Sequence, residues 1–126
     1  MVEVRVRILV PSSSKSWVDI DAFDDPPKNY EHRAFHVRFY PKGQVKCYCE
    51  GDVEIPSMKI RPDEWQEVFI RADMARASFD LTVGGQTAKD LPFADNSVRR
   101  IQSIALCPNT SNGTMVVGRV SVRVIP

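Results

Sequence analysis

The side chains with the most chemistry to offer fall at every second position of three short runs: Trp17, Asp19 and Asp21; His36, Arg38 and Tyr40; Lys46, Tyr48 and Glu50. If the runs are strands, that spacing puts each set on one face. Aromatic rings stack on the C–H faces of sugars, and charged groups hydrogen-bond hydroxyls. An apolar platform with a few polar groups suits a carbohydrate groove. The ligand-binding candidates are therefore Trp17, Asp19, His36, Arg38, Tyr40, Lys46, Tyr48 and Glu50. The competing reading is a solvated outer sheet face laced by cross-strand pairs, with Arg38 beside Glu50 as an example.

Three smaller groups add chemistry. Asp19, Asp21, Asp24 and Asp25 are weak candidates for a structural calcium, which takes clustered oxygen ligands. Their spacing is not that of an EF-hand, and Asp24-Asp25-Pro26-Pro27 also reads as a plain turn. Arg5, Arg7, Arg119 and Arg123 lie on the outward faces of the first and last runs. They would cluster if those runs pair, and guanidinium grips carboxylate or sulfate bidentately. Charge on a strand also protects a sheet edge, which is the plainer explanation. The three cysteines are Cys47, Cys49 and Cys107. An odd count argues against a disulfide framework. Cys47 and Cys49 share a strand face at about 6.6 Å, the upper limit for a bridge. They read as small buried hydrophobes. His32 and His36 have no Cys/His partner at zinc-ligand spacing.

The elements that must position these residues are strands. Val2, Val4, Val6 and Ile8 alternate with Glu3, Arg5 and Arg7. Phe35, Val37 and Phe39 alternate with His36, Arg38 and Tyr40, and Val45, Cys47 and Cys49 with Lys46, Tyr48 and Glu50. Phe79, Leu81 and Val83 form another such run, and Val120, Val122 and Val124 close the chain. Each is the pattern of a half-buried antiparallel strand. Pro41-Lys42-Gly43 and Val83-Gly84-Gly85-Gln86 read as hairpin turns. The nine prolines sit mostly between runs, Pro26-Pro27, Pro56, Pro62 and Pro92 among them. Pro62 to Trp65 reads as one turn, Phe93 to Arg99 as a short helical turn or loop, and Asn109 to Thr114 as a loop. Asn109-Thr110-Ser111 and Asn112-Gly113-Thr114 are glycosylation sequons in form. The expected fold is all-β: a two-sheet antiparallel β-sandwich with little or no helix.

The order of features in the second half resembles one family. Glu64-Trp65 opens a strand ending at Asp73, and Ser78-Phe79-Asp80-Leu81-Thr82-Val83-Gly84-Gly85 follows. Then come Leu91-Pro92-Phe93, an apolar strand from Ile101 to Leu106, and the closing strand Gly118 to Val124. This run, with the early strand Val2 to Ile8 and the hairpin from Ala34 to Cys49, resembles the concanavalin A-like lectin/glucanase (laminin-G-like jelly-roll) domains. The resemblance covers most of the chain, and its motifs are structural. It implies a jelly roll attached to an extracellular glycan-active protein. The Glu-x-Asp-x-x-Glu strand of the related retaining glucanases is absent. The nearest stretch, Val18 to Asp25, has aspartates only, and a retaining glycosidase needs two carboxylates about 5 Å apart. His36, Arg38, Tyr40 and Tyr48 match in type the set that jelly-roll polysaccharide lyases use. There Arg neutralises the uronate and Tyr or His moves protons.

Composition bounds the rest. The 126 residues are the size of one domain, able to bury roughly two-thirds of its unfolded surface without metal or disulfide. A formal net charge of +1 gives no argument for nucleic acid. No apolar run reaches the ~20 residues of a membrane helix, so no membrane insertion is expected. The start alternates and carries charge, so it reads as a strand rather than a signal peptide. That fits a domain, residues 1–126, excised from a longer chain whose other domains are its partners. The leading expectation is a non-catalytic carbohydrate-binding or structural accessory sandwich, extracellular or at the cell surface, with no cofactor beyond a possible structural calcium. Two alternatives stand beside it: a catalytic hydrolase or lyase using His36, Arg38, Tyr40 and Tyr48, and a protein-interaction or assembly module using a patch around Trp65 and Phe69.

Overall fold

The alternating runs become strands in the computed structural model, which describes residues 1–24, 32–48, 52–108 and 112–126, with the backbone alone at 52–54, 56 and 57. Asp25, Cys49, Glu50, the Pro26-Pro27 pair and the Asn109 sequon lie outside the described residues. The elements are β1 (Val2–Leu9), β2 (Val18–Phe23), β3 (Arg33–Phe39), β4 (Gln44–Tyr48), β5 (Asp52–Lys59), β6 (Gln66–Asp73), β7 (Ser78–Val83), β8 (Gln86–Pro92), β9 (Ser103–Pro108) and β10 (Val116–Val124). Among the described residues there is no helix.

Two antiparallel five-stranded sheets result, ordered β10-β1-β6-β7-β8 and β5-β4-β3-β2-β9. The apolar sets of the other runs turn inward, but the last run departs from the half-buried pattern: Val120, Val122 and Val124 of β10 are 45%, 52% and 74% exposed. Val4, Val6, Val68, Ile70 and Leu81 of the first sheet meet Val18, Ile20, Phe35, Val37 and Phe39 of the second, and all are fully buried. Phe35 and Phe79 join the layers, with ring centroids 5.8 Å apart. Burying this apolar area is what holds the sandwich closed.

Both glycine turns form. Gly43 sits at φ 108°, and a Cβ there would stand 3.0 Å from the Ile60 carbonyl oxygen. Gly84 and Gly85 sit at φ 56° and 83°, the two positive values that a two-residue hairpin needs. One reading is corrected: Pro56 does not separate runs but lies inside β5. It is tolerated there because β5 is an edge strand, where a missing N–H costs no ladder bond. Phe93 to Arg99 takes the loop form, with a turn closed by Val98 N–H donating to the Asp95 carbonyl at 3.3 Å.

Candidate functional site

The outer face of the second sheet gathers the residues singled out above. Register does this. Asp19 lies opposite Arg38 and Asp21 opposite His36 across β2 and β3, and Arg38 lies opposite Lys46 across β3 and β4. Trp17 precedes β2 and Tyr40 follows β3, so the antiparallel pair brings both to one end of the face. Their ring centroids are 5.9 Å apart, tilted by 53°. The Arg38 guanidinium carbon lies 4.5 Å from the Trp17 ring centroid, and Lys46 Nζ lies 4.9 Å from that of Tyr40. These two rings help wall a groove of about 510 Å³, with Lys15, Lys42, Pro41 and Gln44 among its other lining residues.

The centre of the face is not the solvated surface that the sequence suggested. Asp21 is 1% exposed and His36 2%. β2 is covered on its outer side as well as its inner one, because it lies between β3 and β9 and long side chains lie over it. Arg38 Nε and Nη2 donate to the Asp19 carboxylate at 2.9 and 3.3 Å. Arg38 of β3 therefore pairs with Asp19 of the neighbouring β2. Tyr48 stacks on His36 with centroids 5.3 Å apart. Arg33 Nη1 reaches His36 Nδ1, and its guanidinium lies 5.7 Å from the Phe23 ring centroid. A guanidinium only donates, so Nδ1 accepts from Arg33, and Arg38 Nη2 lies 3.4 Å from Nε2 on the other side of the ring. Nε2 faces Asp19 Oδ2 at 3.2 Å and Asp21 Oδ1 at 3.6 Å.

Burial splits the two aspartates. It pushes the Asp21 carboxyl up to about 6, against smaller opposing pulls from His36, Arg33 and Arg38, and Asp21 Oδ1 has no hydrogen-bond partner among the described residues. Burial pushes Asp19 up too, but hydrogen bonds from His36 and Arg38 and their charges outweigh it and leave that carboxyl below its usual range. Cys107 of β9 lies opposite Asp19. Burial, and then the charges of Asp21 and Asp19, raise its thiol, so it is held protonated.

Two kinds of chemistry can be tested on this geometry. A carboxyl titrating near 6 beside an imidazole has the protonation a general acid needs, but Asp21 is sealed from substrate. Of the lyase-like set, Tyr40 lines the groove while His36, Arg38 and Tyr48 do not. The four therefore do not converge on one sugar carbon there. For a metal, Asp19, Asp21 and His36 each offer a ligand atom, all within 4.8 Å of one another. Arg38 already occupies the Asp19 carboxylate and Arg33 the imidazole, so a dication would have to displace two cations. Asp24 stands apart, bound to Arg100 Nε at 2.6 Å.

Sequence reasoning missed Arg33, Cys107, Lys15 and Lys42. Lys42 had a signal, since it lies in the turn that follows Tyr40. Arg33 and Cys107 had none, because only the pairing of β2 with β9 and the covering of β2 give them a place.

No protein-family model and no curated protein sequence matches the chain. Solved structures do. A homodimeric agglutinin from chicken liver, CG-16, superposes with TM-score 0.72 at 14% identity, over 97% of this chain and 90% of that one. A human galectin-16 variant gives 0.73 at 12%, over 97% and 86%. Congerin II with lactose and MES bound gives 0.68 at 12%, over 97% and 90%. The same sandwich also matches 13% of the length of a sialidase, at 12% identity and TM-score 0.72. At such identities the likeness defines the fold alone. The fold that these structures share with the chain is a galectin-like jelly-roll sandwich.

Proposed function

We propose that the chain is a non-catalytic glycan-binding sandwich, part of an extracellular glycan-recognising protein, and that it takes a saccharide on the outer face of the second sheet at the Trp17–Tyr40 groove. The carrying observation is that groove: two half-buried rings, a volume of about 510 Å³ and flanking Lys15 and Lys42. It is large enough for one or two sugar rings, and it combines an apolar wall with hydrogen-bonding groups. The Arg38–Asp19–His36 network holds the neighbouring polar groups in fixed rotamers, which lowers the entropy lost on binding. A congerin II of the same fold was solved with lactose bound, which supports a neutral saccharide as the first ligand to try.

The test is a glycan-array screen of the chain with and without calcium, followed by calorimetry on the best ligand. Trp17→Ala should weaken binding at least tenfold, the loss of one stacked ring. EDTA should leave binding unchanged, because the reading uses no metal. An array with no bound glycan, or a Trp17→Ala variant that binds as tightly as the parent, would overturn it.

A further inference from the structure

We propose a second ligand site on the opposite face of the sandwich: a cleft formed by Arg5, Arg7 and Arg119 that binds the sulfate or carboxylate groups of an acidic polysaccharide. It does not depend on the Trp17 groove. The cleft has a volume of about 380 Å³ and is lined by Arg5, Arg7, Arg119, Val6, Glu67 and Ser121. β1 lies between β10 and β6, and register sets Arg5 opposite both Ser121 and Phe69. The β1–β10 register shifts between Val6 and Ile8. Arg7 lies inside that irregularity, the kind of feature that re-aims a side chain.

The charges in the cleft are incompletely neutralised. Glu67 binds Arg5 at 2.7 Å, and it is the one carboxylate among the lining residues against three guanidinium groups. Arg5 lies over the Phe69 ring at 4.0 Å and Arg7 over the Trp65 ring at 5.1 Å. Such stacking steadies a guanidinium without cancelling its charge. The chain as a whole carries a formal charge of +1, so this is a local concentration. Arg123 does not belong to it: that side chain binds Glu3 at 2.9 Å further along the strands.

Edge protection does not account for the arrangement. Arg119 is on the edge strand β10, but Arg5 and Arg7 are on β1, which is paired on both sides and has no edge to protect. Guanidinium forks match the planar oxygens of carboxylate and the oxygens of sulfate. Trp65, 41% exposed beside Arg7, offers a ring face for the sugar that carries them. Glu67 and Glu3 interrupt the positive row. A continuous phosphate backbone would meet both carboxylates, whereas isolated anionic groups on a polysaccharide need not.

The experiment is calorimetry with a sulfated heparin octasaccharide and its desulfated form, at 50 and 300 mM NaCl. Four proteins are compared: the parent, Arg7→Gln/Arg119→Gln, Arg7→Lys/Arg119→Lys and Trp17→Ala. The parent should bind the sulfated form, more weakly at high salt. The Gln pair should bind it at least tenfold more weakly, the Lys pair should recover only part of the loss, and Trp17→Ala should match the parent. All substituted positions on this face are exposed, and an unchanged melting temperature confirms folding. The proposal is overturned by a parent that does not bind, by a Gln pair that binds like the parent, by equal binding of the desulfated form, or by a loss in Trp17→Ala. Equal binding of polyglutamate or a DNA oligonucleotide would overturn the polysaccharide class.

Discussion

The two outer faces of this sandwich use the same device, opposite charges set across neighbouring strands, in two different environments. On the second sheet Arg38 and Asp19 are 17% and 12% exposed along their side chains. On the first, Arg5 and Glu67 are 53% and 60% exposed. The cause is cover rather than strand position, since β1 and β2 each lie one strand in from an edge: Arg33, Arg38 and Tyr48 roof the second face, whereas the Arg5–Glu67 pair is open to solvent. In water an ion pair gains little over its solvated parts. Under a roof each charge has lost its water, so each partner depends on the other. One face is therefore a fixed polar network whose removal costs stability, and the other a set of adjustable charges free to meet a ligand.

Removing one partner from each face should break that symmetry most visibly. Arg38→Ala leaves Asp19 buried without its main donor, beside an Asp21 whose Oδ1 already lacks a hydrogen-bond partner among the described residues. Loss of one partner of a buried pair costs about 3–5 kcal/mol. Urea unfolding at pH 7 should show a loss in that range, with the m-value retained. A loss below about 1 kcal/mol would mean that the roof admits water and that the two faces are alike.

The sequence made one half of this comparison readable and not the other. Alternation shows which face a residue takes, so Asp19, His36, Arg38 and Tyr48 could be placed together before any coordinates. It cannot show what lies on top of that face. The burial of Asp21 and His36 depends on β9 pairing with β2 from more than eighty positions away in the chain, and on Arg33, whose place ahead of the Phe35 alternation gave no hint of a role. The hairpins around Gly43 and Gly84 were legible because positive φ has few residue solutions. β5 was not, because Pro56 interrupts the pattern and is tolerated only at an edge. The arginines of β1 and β10 were legible as a cluster. That Arg123 leaves it for Glu3 was not, because side-chain reach depends on register.

Titration sharpens the comparison. Burial holds the Asp21 carboxyl at about 6, above the ordinary 3.8, so the folded protein binds this proton more tightly than the unfolded chain does. Its contribution is fully present below about pH 4 and is lost as pH rises through 6, amounting to at most about 3 kcal/mol. Asp19, held low, works the other way: its contribution is present above pH 4 and fades as pH falls through its lowered value. Asp21→Asn isolates the first effect. Relative to the parent, the variant should gain up to about 3 kcal/mol between pH 4 and pH 7 in urea unfolding. A parent-minus-variant difference that stays flat across that range would show that Asp21 titrates as an exposed aspartate does.

The smallest effect belongs to the exposed face and tests the comparison from the other side. A double-mutant cycle on Arg5→Ala and Glu67→Ala should give a coupling of about 0.2–1 kcal/mol, the range for solvent-exposed pairs. Salt should reduce it further, because the Debye length falls to about 3 Å at 1 M. The same cycle on Arg38 and Asp19 should give several times that coupling and keep most of it at 1 M salt, since buried charges are poorly screened. Equal couplings with equal salt sensitivity would remove the distinction between the faces. A large, salt-resistant Arg5–Glu67 coupling would mean that Glu67 holds Arg5 too firmly to release it to an anionic ligand.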